Sequence, residues 1–301
     1  MQKDRAVLRY EEAAAILPIC LRKAALGLPE EQKAQAEEFR LRAGKEMTVL
    51  LPESEVTLGI EVTPEDLDIL CDLATEFSRY AAAETLREGF LSVRGGFRVG
   101  LCGSAVIKNG VNTNLKNFSS AAIRISREKK GIAVKLIPQL FKENRFINTL
   151  IISPPGGGKT TLLRDIVRCL SEQGMRISLI DERGEIAVVY RGEAQLDVGG
   201  CTDVLDACPK AIGIPMMLRA MNPQIIAVDE ITVLEDIKAM SLAVGCGVGL
   251  LATIHAGSIE DLLEKPLYRE LLNNQVFQQA VLIRYFTNER TYVIEELPCS
   301  I

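Results

Sequence analysis

The chain has 301 residues, of which 48% are apolar and 25% are charged, so it contains enough apolar material for two folded domains and lacks the composition of a disordered protein. Its formal net charge of −5 disfavours a dedicated nucleic-acid-binding protein, because the domains of such proteins are usually basic. The eight cysteines form no C-x-x-C pair and there is one histidine, a composition that disfavours a zinc site and indicates a reducing, cytoplasmic compartment.

The N-terminal segment is predicted to be helical. Its apolar spacing favours a helix over Glu11–Ala25 with a kink at Pro18. Two acidic residues precede the apolar stretch Ala13–Leu21 and no small-residue cleavage site follows it, so we expect a helix and not a signal peptide. The longest apolar stretch, Leu242–Ile254, is too short to span a bilayer, and we therefore expect any membrane association to be peripheral.

The rest of the first half is predicted to be a small α+β domain. Thr63 is a suitable helix N-cap and Pro64 occupies the first helical position, so a helix is expected to begin there and to end near Tyr80. Alternating apolar residues, separated by glycine and asparagine turns, predict further extended segments. These are Phe39–Arg42, Met47–Leu51, Gly89–Gly103 and Ala121–Ile125.

The second half is predicted to alternate between buried strands and helices, which is typical of a mainly parallel sheet covered on both faces. A helix is expected over Thr160–Leu170. Short apolar strands are expected at Thr149–Ile152, Ile177–Ile180, Ile225–Val228 and Gly249–Ile254, with a terminal hairpin of Gln279–Phe286 and Thr291–Glu296. The predicted fold class is therefore α/β, with a smaller N-terminal α+β domain over residues 1–138 and a second domain over residues 139–301.

A glycine-rich phosphate loop follows the first strand of the second half. It reads Ser153-Pro154-Pro155-Gly156-Gly157-Gly158-Lys159-Thr160, then Thr161, and fits G-x-x-x-x-G-K-[ST] except for serine at the first position. Glycines let backbone N–H groups point at phosphate oxygens, and the following helix N-terminus adds its positive dipole. Lys159 is expected to reach the β- and γ-phosphates and Thr160 to coordinate Mg²⁺, so the sequence predicts a site for ATP with Mg²⁺.

An acidic pair ends the strand Ile225–Val228. Asp229 is expected at the carboxyl edge of the sheet, where it would hold the Mg²⁺ coordination shell. Glu230 suits a base that orients an attacking water, which a hydrolase needs and a kinase does not. An acidic pair alone is usually a solvated turn, but a phosphate loop upstream favours the catalytic interpretation.

Two further polar segments follow strands that would end at the same edge. In Asp181-Glu182-Arg183, Glu182 would help to orient water and Arg183 would contact a phosphate or a neighbouring subunit, while a solvated charged loop is an equal alternative. Thr253 and His255 end the next apolar strand, where we expect one of them to sense the γ-phosphate. A lone histidine is more often structural, but its place at the predicted active edge favours a catalytic role for His255.

These elements, in this order, resemble the secretion-type ATPases, the motors of type II and type IV secretion and of pilus retraction. In that family an acidic box follows the strand after the phosphate loop, and a histidine box follows the next acidic strand. The resemblance implies a P-loop domain of the RecA-like type with a mainly parallel sheet, a smaller N-terminal domain that folds over the nucleotide, and homo-oligomeric hexameric rings. The choice of ATP over GTP rests on this resemblance and on the lack of an N-K-x-D element.

The closer resemblance is to the branch of stage III sporulation proteins AA. It lies in Asn148–Ile152 running into the phosphate loop, in Leu163-Arg164-Asp165, in the Asp181-Glu182-Arg183 box and in Phe39–Gly44. It implies a cytoplasmic ATPase of the mother cell, peripheral at the mother-cell side of the forespore membrane. The implied partners are the membrane proteins of the channel that connects mother cell and forespore.

The chain departs from the secretion motors in two respects. Many of those proteins have Gly-Glu where this chain has Asp229-Glu230, and many carry a four-cysteine zinc insertion that this sequence lacks. Arg98, Arg124 and Arg127 are candidates for arginine fingers, although exposed arginines are usually solvated.

The leading hypothesis is an ATP hydrolase that energises or gates a membrane-bound channel, with in-line attack by a water that Glu230 orients. A nucleotide-gated structural component with little turnover is an alternative, because slow and fast P-loop enzymes share these residues. A nucleic-acid motor is another alternative, because Arg87, Arg94 and Arg98 form a local basic run. The negative net charge of the chain opposes nucleic acid as a partner. A small-molecule kinase is disfavoured by Glu230 and by the lack of an arginine-rich lid.

Overall fold

A computed structural model describes residues 5–79, 82–87, 89–125, 128–286 and 289–298. The chain divides into two compact units, Met1–Arg127 and Glu128–Ile301, called here the N-terminal and C-terminal units. The boundary predicted from the sequence is at residue 138. The division in the structure falls earlier, because residues such as Ala133, Ile137 and Leu140 pack into a core of the C-terminal unit. Arg127, one of the candidate arginine fingers, lies outside the described residues.

The N-terminal unit combines an antiparallel sheet with short helices. Its described helices are α1 (Arg5–Ala14), α2 (Ile19–Leu26), α3 (Glu30–Gln35), α4 (Pro64–Ala74) and α5 (Ala83–Arg87). Its described strands are β1 (Glu38–Arg42), β2 (Glu46–Leu50), β3 (Glu55–Glu61), β4 (Phe90–Val93), β5 (Phe97–Lys108) and β6 (Val111–Arg124). Within the described residues these strands pair antiparallel in the order β3-β2-β1-β6-β5-β4, which confirms the predicted α+β character.

Pro18 breaks the helix that the sequence predicted over Glu11–Ala25. The structure has two helices, α1 and α2, and Pro18 directly before α2 has φ −50° and ψ 149°, an extended conformation. A proline ring clashes with the carbonyl one turn earlier and lacks the N–H that a continuous helix requires. Both helices still contribute to the core of the unit, where Tyr10 and Leu21 are fully buried.

The helix predicted from Thr63 begins where expected and ends earlier. Thr63 Oγ1 accepts a hydrogen bond from the Asp66 N–H at 3.1 Å, and the Asp66 carboxylate accepts one from the Thr63 N–H at 2.9 Å, a capping box that stabilises the first turn. The expected end near Tyr80 is wrong, because Glu76 and Phe77 have φ of 49° and 60°, the left-handed region that a right-handed helix excludes. Tyr80 itself lies outside the described residues.

The extended segments predicted at Gly89–Gly103 and Ala121–Ile125 belong to a longer meander. The first contains the β4–β5 hairpin, and the second is the end of β6, whose pairing with β5 continues to Lys108 opposite Val111. The two residues between them are Asn-Gly, with φ of 51° and 76°, the backbone that a two-residue hairpin turn requires.

The C-terminal unit has the alternating strands and helices that the sequence predicted. Its described helices are a 3₁₀ turn (Ile137–Leu140), α6 (Lys159–Glu172), α7 (Lys210–Ala220), α8 (Leu234–Gly245), α9 (Glu260–Glu264) and α10 (Pro266–Asn273). Its described strands are β7 (Phe141–Lys142), β8 (Arg145–Phe146), β9 (Thr149–Ser153), β10 (Ile177–Asp181), β11 (Val189–Tyr190), β12 (Glu193–Ala194), β13 (Thr202–Asp206), β14 (Ile225–Val228), β15 (Gly249–His255), β16 (Gln279–Phe286) and β17 (Glu289–Glu296). None of the described helices combines the length and the apolar character needed to cross a bilayer.

The central sheet positions the predicted site residues. In the described part of the chain, its strand order is β13-β10-β14-β15-β9-β16-β17. The pairs from β13 to β16 are parallel, and the predicted terminal hairpin adds β17 antiparallel at one edge, with its turn at 287–288 outside the described residues. Parallel pairing brings the carboxyl ends of β9, β10, β14 and β15 to one edge of the sheet, as the sequence predicted.

Helices cover both faces of the central sheet, so its strands are buried on both sides. Along β9, Leu150 and Ile152 belong to one core with side chains of α7, α8 and α10, whereas Ile151 belongs to the other with side chains of α6. This explains the continuous apolar runs of these strands, since alternate residues face alternate cores. The fold class is α/β, as predicted.

A buried ionic cluster ties α6 to the segment that enters the C-terminal unit. Asp165, which is 3% exposed, accepts hydrogen bonds from the backbone N–H groups of Gly131 at 3.1 Å and Ala133 at 2.8 Å. It also pairs with the Arg168 guanidinium at 2.7 Å. Buried polar groups of this kind stabilise only while each has its partner, so the cluster is sensitive to the loss of one member.

Asp165→Asn is expected to lower the free energy of unfolding of the C-terminal unit by about 3 kcal/mol, because it removes the buried carboxylate that pairs with the Arg168 guanidinium and leaves that group only the exposed Glu172. Urea denaturation followed by circular dichroism measures the change. Glu172→Gln is the matched control, since Glu172 also pairs with Arg168 at 2.7 Å but its side chain is 56% exposed, so the loss should stay below about 1 kcal/mol. Equal losses in the two variants would contradict the importance of the buried pair.

Candidate functional site

The phosphate loop connects β9 to α6, and Gly156 in this loop is exposed. Gly156 and Gly158 have φ of 74° and 93°, which only glycine adopts readily, and a Cβ at Gly156 would meet nothing within 4 Å. Gly157 is different, because a Cβ there would lie 1.6 Å from the Oγ of Ser153. Ser153 therefore packs on Gly157 from within the loop, at the position where the motif has glycine. Pro155 is exposed.

Lys159 is held at the base of this loop. Its ammonium donates hydrogen bonds to the carbonyl oxygens of Ser153 at 2.7 Å and Pro154 at 2.9 Å, and it lies 2.7 Å from Nδ1 of His255. Burial lowers the pKa of Lys159, and the nearby carboxylates Glu230 and Asp229 oppose that shift. Lys159 therefore has three acceptors in this state and faces two negative charges across the site.

His255 bridges Lys159 and Glu230. An ammonium group can only donate, so Nδ1 of His255 is the acceptor toward Lys159 and the proton of the ring lies on Nε2. Nε2 lies 3.1 Å from Oε2 of Glu230, within hydrogen-bonding distance. The histidine thus links the lysine of the phosphate loop to the second carboxylate of the acidic pair.

The acidic pair follows β14, between the ends of β10 and β15. Asp229 is 5% exposed and accepts a hydrogen bond at 3.0 Å from the hydroxyl of Thr253 on β15. Glu230 accepts one at 3.0 Å from Nη1 of Arg183, which follows β10. Both neighbouring strands therefore supply a partner that orients one carboxylate of the pair.

The acidic box after β10 has a structural and a site-facing part. Asp181 is fully buried and accepts hydrogen bonds from the backbone N–H groups of Glu185 at 2.9 Å and Ala187 at 2.8 Å, among others, which shapes the loop. Burial raises the pKa of Asp181, and these backbone hydrogen bonds partly offset the shift. The Glu182 carboxylate pairs with Lys210 at the start of α7, so this predicted water-orienting residue is directed to another partner, while Arg183 pairs with Glu230.

These side chains surround a cavity of about 340 Å³ at the carboxyl edge of the central sheet. It is lined by Gly156, Gly158, Lys159, Thr160, Thr161, Arg183, Glu185, Asp229, Glu230, Thr253, His255 and Arg290. The structure therefore brings the phosphate loop, the acidic pair and the histidine segment together. Glu182 is not among the lining residues, and its catalytic role stays a prediction from the sequence.

Sequence reasoning did not place Arg290 or Arg164 near the site. Arg290 lies against Gly158 of the phosphate loop because only β16 separates β17 from β9 in the sheet. No local sequence pattern encodes this strand order. Arg164 on α6 donates to the backbone carbonyl of Glu185 at 2.6 Å and to that of Ile186, so it ties the acidic box to the helix of the phosphate loop. Helical spacing places Arg164 outside the predicted apolar face of this helix, so no local pattern indicated that its side chain would be buried.

The residues present fit a nucleoside triphosphate with Mg²⁺. The loop offers a surface without Cβ atoms at Gly156 and Gly158, the N-terminus of α6, and the cation of Lys159, all of which suit phosphate oxygens. The hydroxyl of Thr160 and the carboxylate of Asp229 both line the cavity, and oxygen ligands of this kind suit Mg²⁺.

Comparison with solved structures identifies related folds. The X-ray structure of the Legionella pneumophila ATPase DotB superposes with a TM-score of 0.61 at 14% identity, covering 94% of this chain and 82% of that one. The crystal structure of the pilus retraction motor PilT with bound ADP superposes with a TM-score of 0.58 at 19% identity, covering 87% and 79% of the two chains. At these identities the likeness shows a shared fold.

Sequence comparison identifies the family. Residues 8–291 match the profile of the family described as sporulation stage III, protein AA. Stage III sporulation protein AA of Bacillus subtilis (strain 168) is 39% identical over 274 residues, covering 89% of each chain. The uncharacterized protein ycf45 of Porphyra purpurea is 31% identical over 154 residues, covering 50% of this chain and 26% of that protein. The chain belongs to the sporulation stage III protein AA family and shares the fold of the ATPase DotB and of the pilus retraction motor PilT.

Proposed function

We propose that this chain is a Mg²⁺-dependent ATP hydrolase. The observation that carries the proposal is that Lys159 and Thr160 of the phosphate loop share one cavity with Asp229 and Glu230, at the edge of a parallel sheet where such ligands bind. A phosphate loop alone would support binding, whereas the second carboxylate beside it supports hydrolysis.

Each of these residues has a role that its position supports. Lys159 and the backbone of the loop hold the β- and γ-phosphates, and Thr160 and Asp229 hold the metal. When bound, Mg²⁺ neutralises the charge that develops on the phosphate oxygens. Glu230 orients the attacking water and accepts its proton, and the hydrogen bond from Arg183 together with the close contact of His255 at 3.1 Å fixes the position of that carboxylate.

The proposed cellular role is to energise or gate a membrane-bound channel between mother cell and forespore during sporulation. Membership of the sporulation family and the shared fold with the ATPase DotB and the pilus retraction motor PilT support this role. We further propose that the chain acts as a homo-oligomer, a hexameric ring, in the cytoplasm at the mother-cell side of the forespore membrane. Its proposed partners are membrane proteins of the channel.

A nucleotide-gated component with slow turnover is a second candidate, and one observation favours it. Nη1 of Arg183 donates a hydrogen bond to Oε2 of Glu230, and Nε2 of His255 lies 3.1 Å from the same oxygen, so one oxygen of the carboxylate that would receive a proton from water is already engaged. Lys159 is likewise engaged by carbonyl oxygens and His255. The isolated chain in this arrangement would hydrolyse slowly until an oligomer or a partner rearranges these contacts.

Phosphate release from ATP, measured over a range of protein concentrations, tests the hydrolase. Lys159→Ala is expected to weaken ATP binding at least about tenfold, because it removes the cation that meets the phosphates. Glu230→Gln is expected to retain ATP binding while turnover falls by about 10²-fold or more, because the amide cannot accept a proton from water.

The concentration series separates the two candidates. Turnover that rises with protein concentration and collapses in Glu230→Gln supports an oligomeric hydrolase. ATP binding without phosphate release at every concentration would contradict hydrolysis by this chain alone and favour the gated component. Stimulation by added nucleic acid would instead favour a nucleic-acid motor.

Gly157→Ala is expected to lower ATP affinity at least about tenfold, because the added Cβ would lie 1.6 Å from Ser153 Oγ and 2.8 Å from its Cβ and would force the loop to shift. Adding Ser153→Gly removes both contacts and leaves the Pro154 carbonyl oxygen at 3.0 Å, so the double variant should regain most of the affinity. Calorimetric titration with ATP measures both, with Ser153→Gly alone as control. A double variant no better than Gly157→Ala would contradict this packing account.

A further inference from the structure

The terminal hairpin brings a positive charge to the phosphate loop. β16 pairs parallel with β9, so its carboxyl end lies at the same edge of the sheet as the loop. Tyr285 near that end is opposite Arg290 on β17. The fold thus carries Arg290, more than a hundred residues after the loop in sequence, into the cavity that Lys159 and Thr160 line.

The guanidinium of Arg290 lies directly against Gly158. A Cβ at Gly158 would be 3.1 Å from Cζ of Arg290, 3.2 Å from its Nη1 and 3.4 Å from its Nε. The arginine therefore occupies the space that a side chain at this loop position would need. Glycine at position 158 allows both the left-handed backbone conformation, with φ 93°, and the close approach of Arg290.

Most of the N–H donors of Arg290 are available to a ligand. Its Nε donates to the hydroxyl of Tyr285 at 2.8 Å, which fixes the orientation of the planar group. Among the residues that the structure describes, no carboxylate pairs with Arg290, whereas Arg183 in the same cavity is paired with Glu230. The two terminal amino groups of Arg290 are thus available to oxygen acceptors in the cavity.

We propose that Arg290 binds the phosphate chain of the nucleotide, as a cation that the terminal hairpin supplies from within the same subunit. This inference rests on the proposed ATP binding and deepens it. The planar guanidinium donates two parallel hydrogen bonds to phosphate oxygens, which an ammonium cannot do. Arg290 would face the phosphates from the side of the loop opposite the acidic pair, and the hairpin would become part of the nucleotide site.

Calorimetric titration of Arg290→Met with ATP tests the proposal. Methionine keeps most of the aliphatic volume and removes the charge, so ATP affinity is expected to fall about tenfold or more. Arg284→Met is the matched control, because Arg284 lies on the same hairpin, is 58% exposed and pairs with Glu295 at 2.7 Å, outside the cavity. Its affinity should stay within about twofold of the unmodified chain.

A second measurement uses the unmodified chain and does not depend on the folding of a variant. Phenylglyoxal modifies accessible arginines, and peptide mass spectrometry follows Arg290 and Arg284 separately. Saturating ATP is expected to slow the modification of Arg290 at least about fivefold, because hydrogen bonds to the phosphates occupy its N–H donors. The rate of modification of Arg284 should stay unchanged.

The outcomes distinguish this inference from the proposed function. If the unmodified chain does not bind ATP, the proposed function itself fails. If it binds ATP while Arg290→Met binds equally well, or while ATP leaves the modification of Arg290 unchanged, the role of Arg290 is overturned and the hydrolase stands. Weaker binding by Arg290→Met alone, with selective protection of Arg290, supports the inference.

Discussion

The parallel register of the central sheet fixes which side chains meet at the candidate site. His255 on β15 lies beside Ser153 on β9, and Val228 at the end of β14 lies beside Ala252 on β15. These pairings place the phosphate loop, the histidine and the acidic pair at one edge, although the segments are far apart in the chain. A slip of one residue in β15 would turn His255 to the opposite face of the sheet, because side chains alternate along a strand.

Electrostatics at that edge explain why the site side chains are engaged with one another. Lys159, His255, Glu230 and Arg183 form a continuous series of contacts, each at 3.1 Å or less. The buried ammonium of Lys159 and the partly buried carboxylate of Glu230 both need such partners, since an unpaired charge removed from water is costly. An anion that attracts Lys159 would compete with His255 for it, so ligand binding at the loop and the position of Glu230 are physically linked.

The buried polar residues beneath the site serve a different purpose. Asp181 satisfies backbone N–H groups of its own loop, Arg164 satisfies carbonyl groups of the same loop, and Asp165 holds the segment that enters the unit. Several of these residues belong to the motifs on which the family resemblance rests. Their burial shows that part of this resemblance reflects the need to hold the loops around the cavity in place, because buried backbone groups must be paired.

Features that depend on a few neighbouring residues could be predicted from the amino-acid sequence. The apolar runs of β9, β14 and β15, the glycine loop before α6 and the Thr63 cap are local signals, and the structure has each where the pattern predicted it. The end of α4 and the break at Pro18 were misjudged because periodicity alone does not reveal where backbone angles leave the helix. Three contacts could not be predicted in this way: Glu182 pairs with Lys210, Arg183 pairs with Glu230, and Arg290 lies against Gly158. A long side chain contacts whichever partner the strand order brings near, and strand order is a property of the whole sheet.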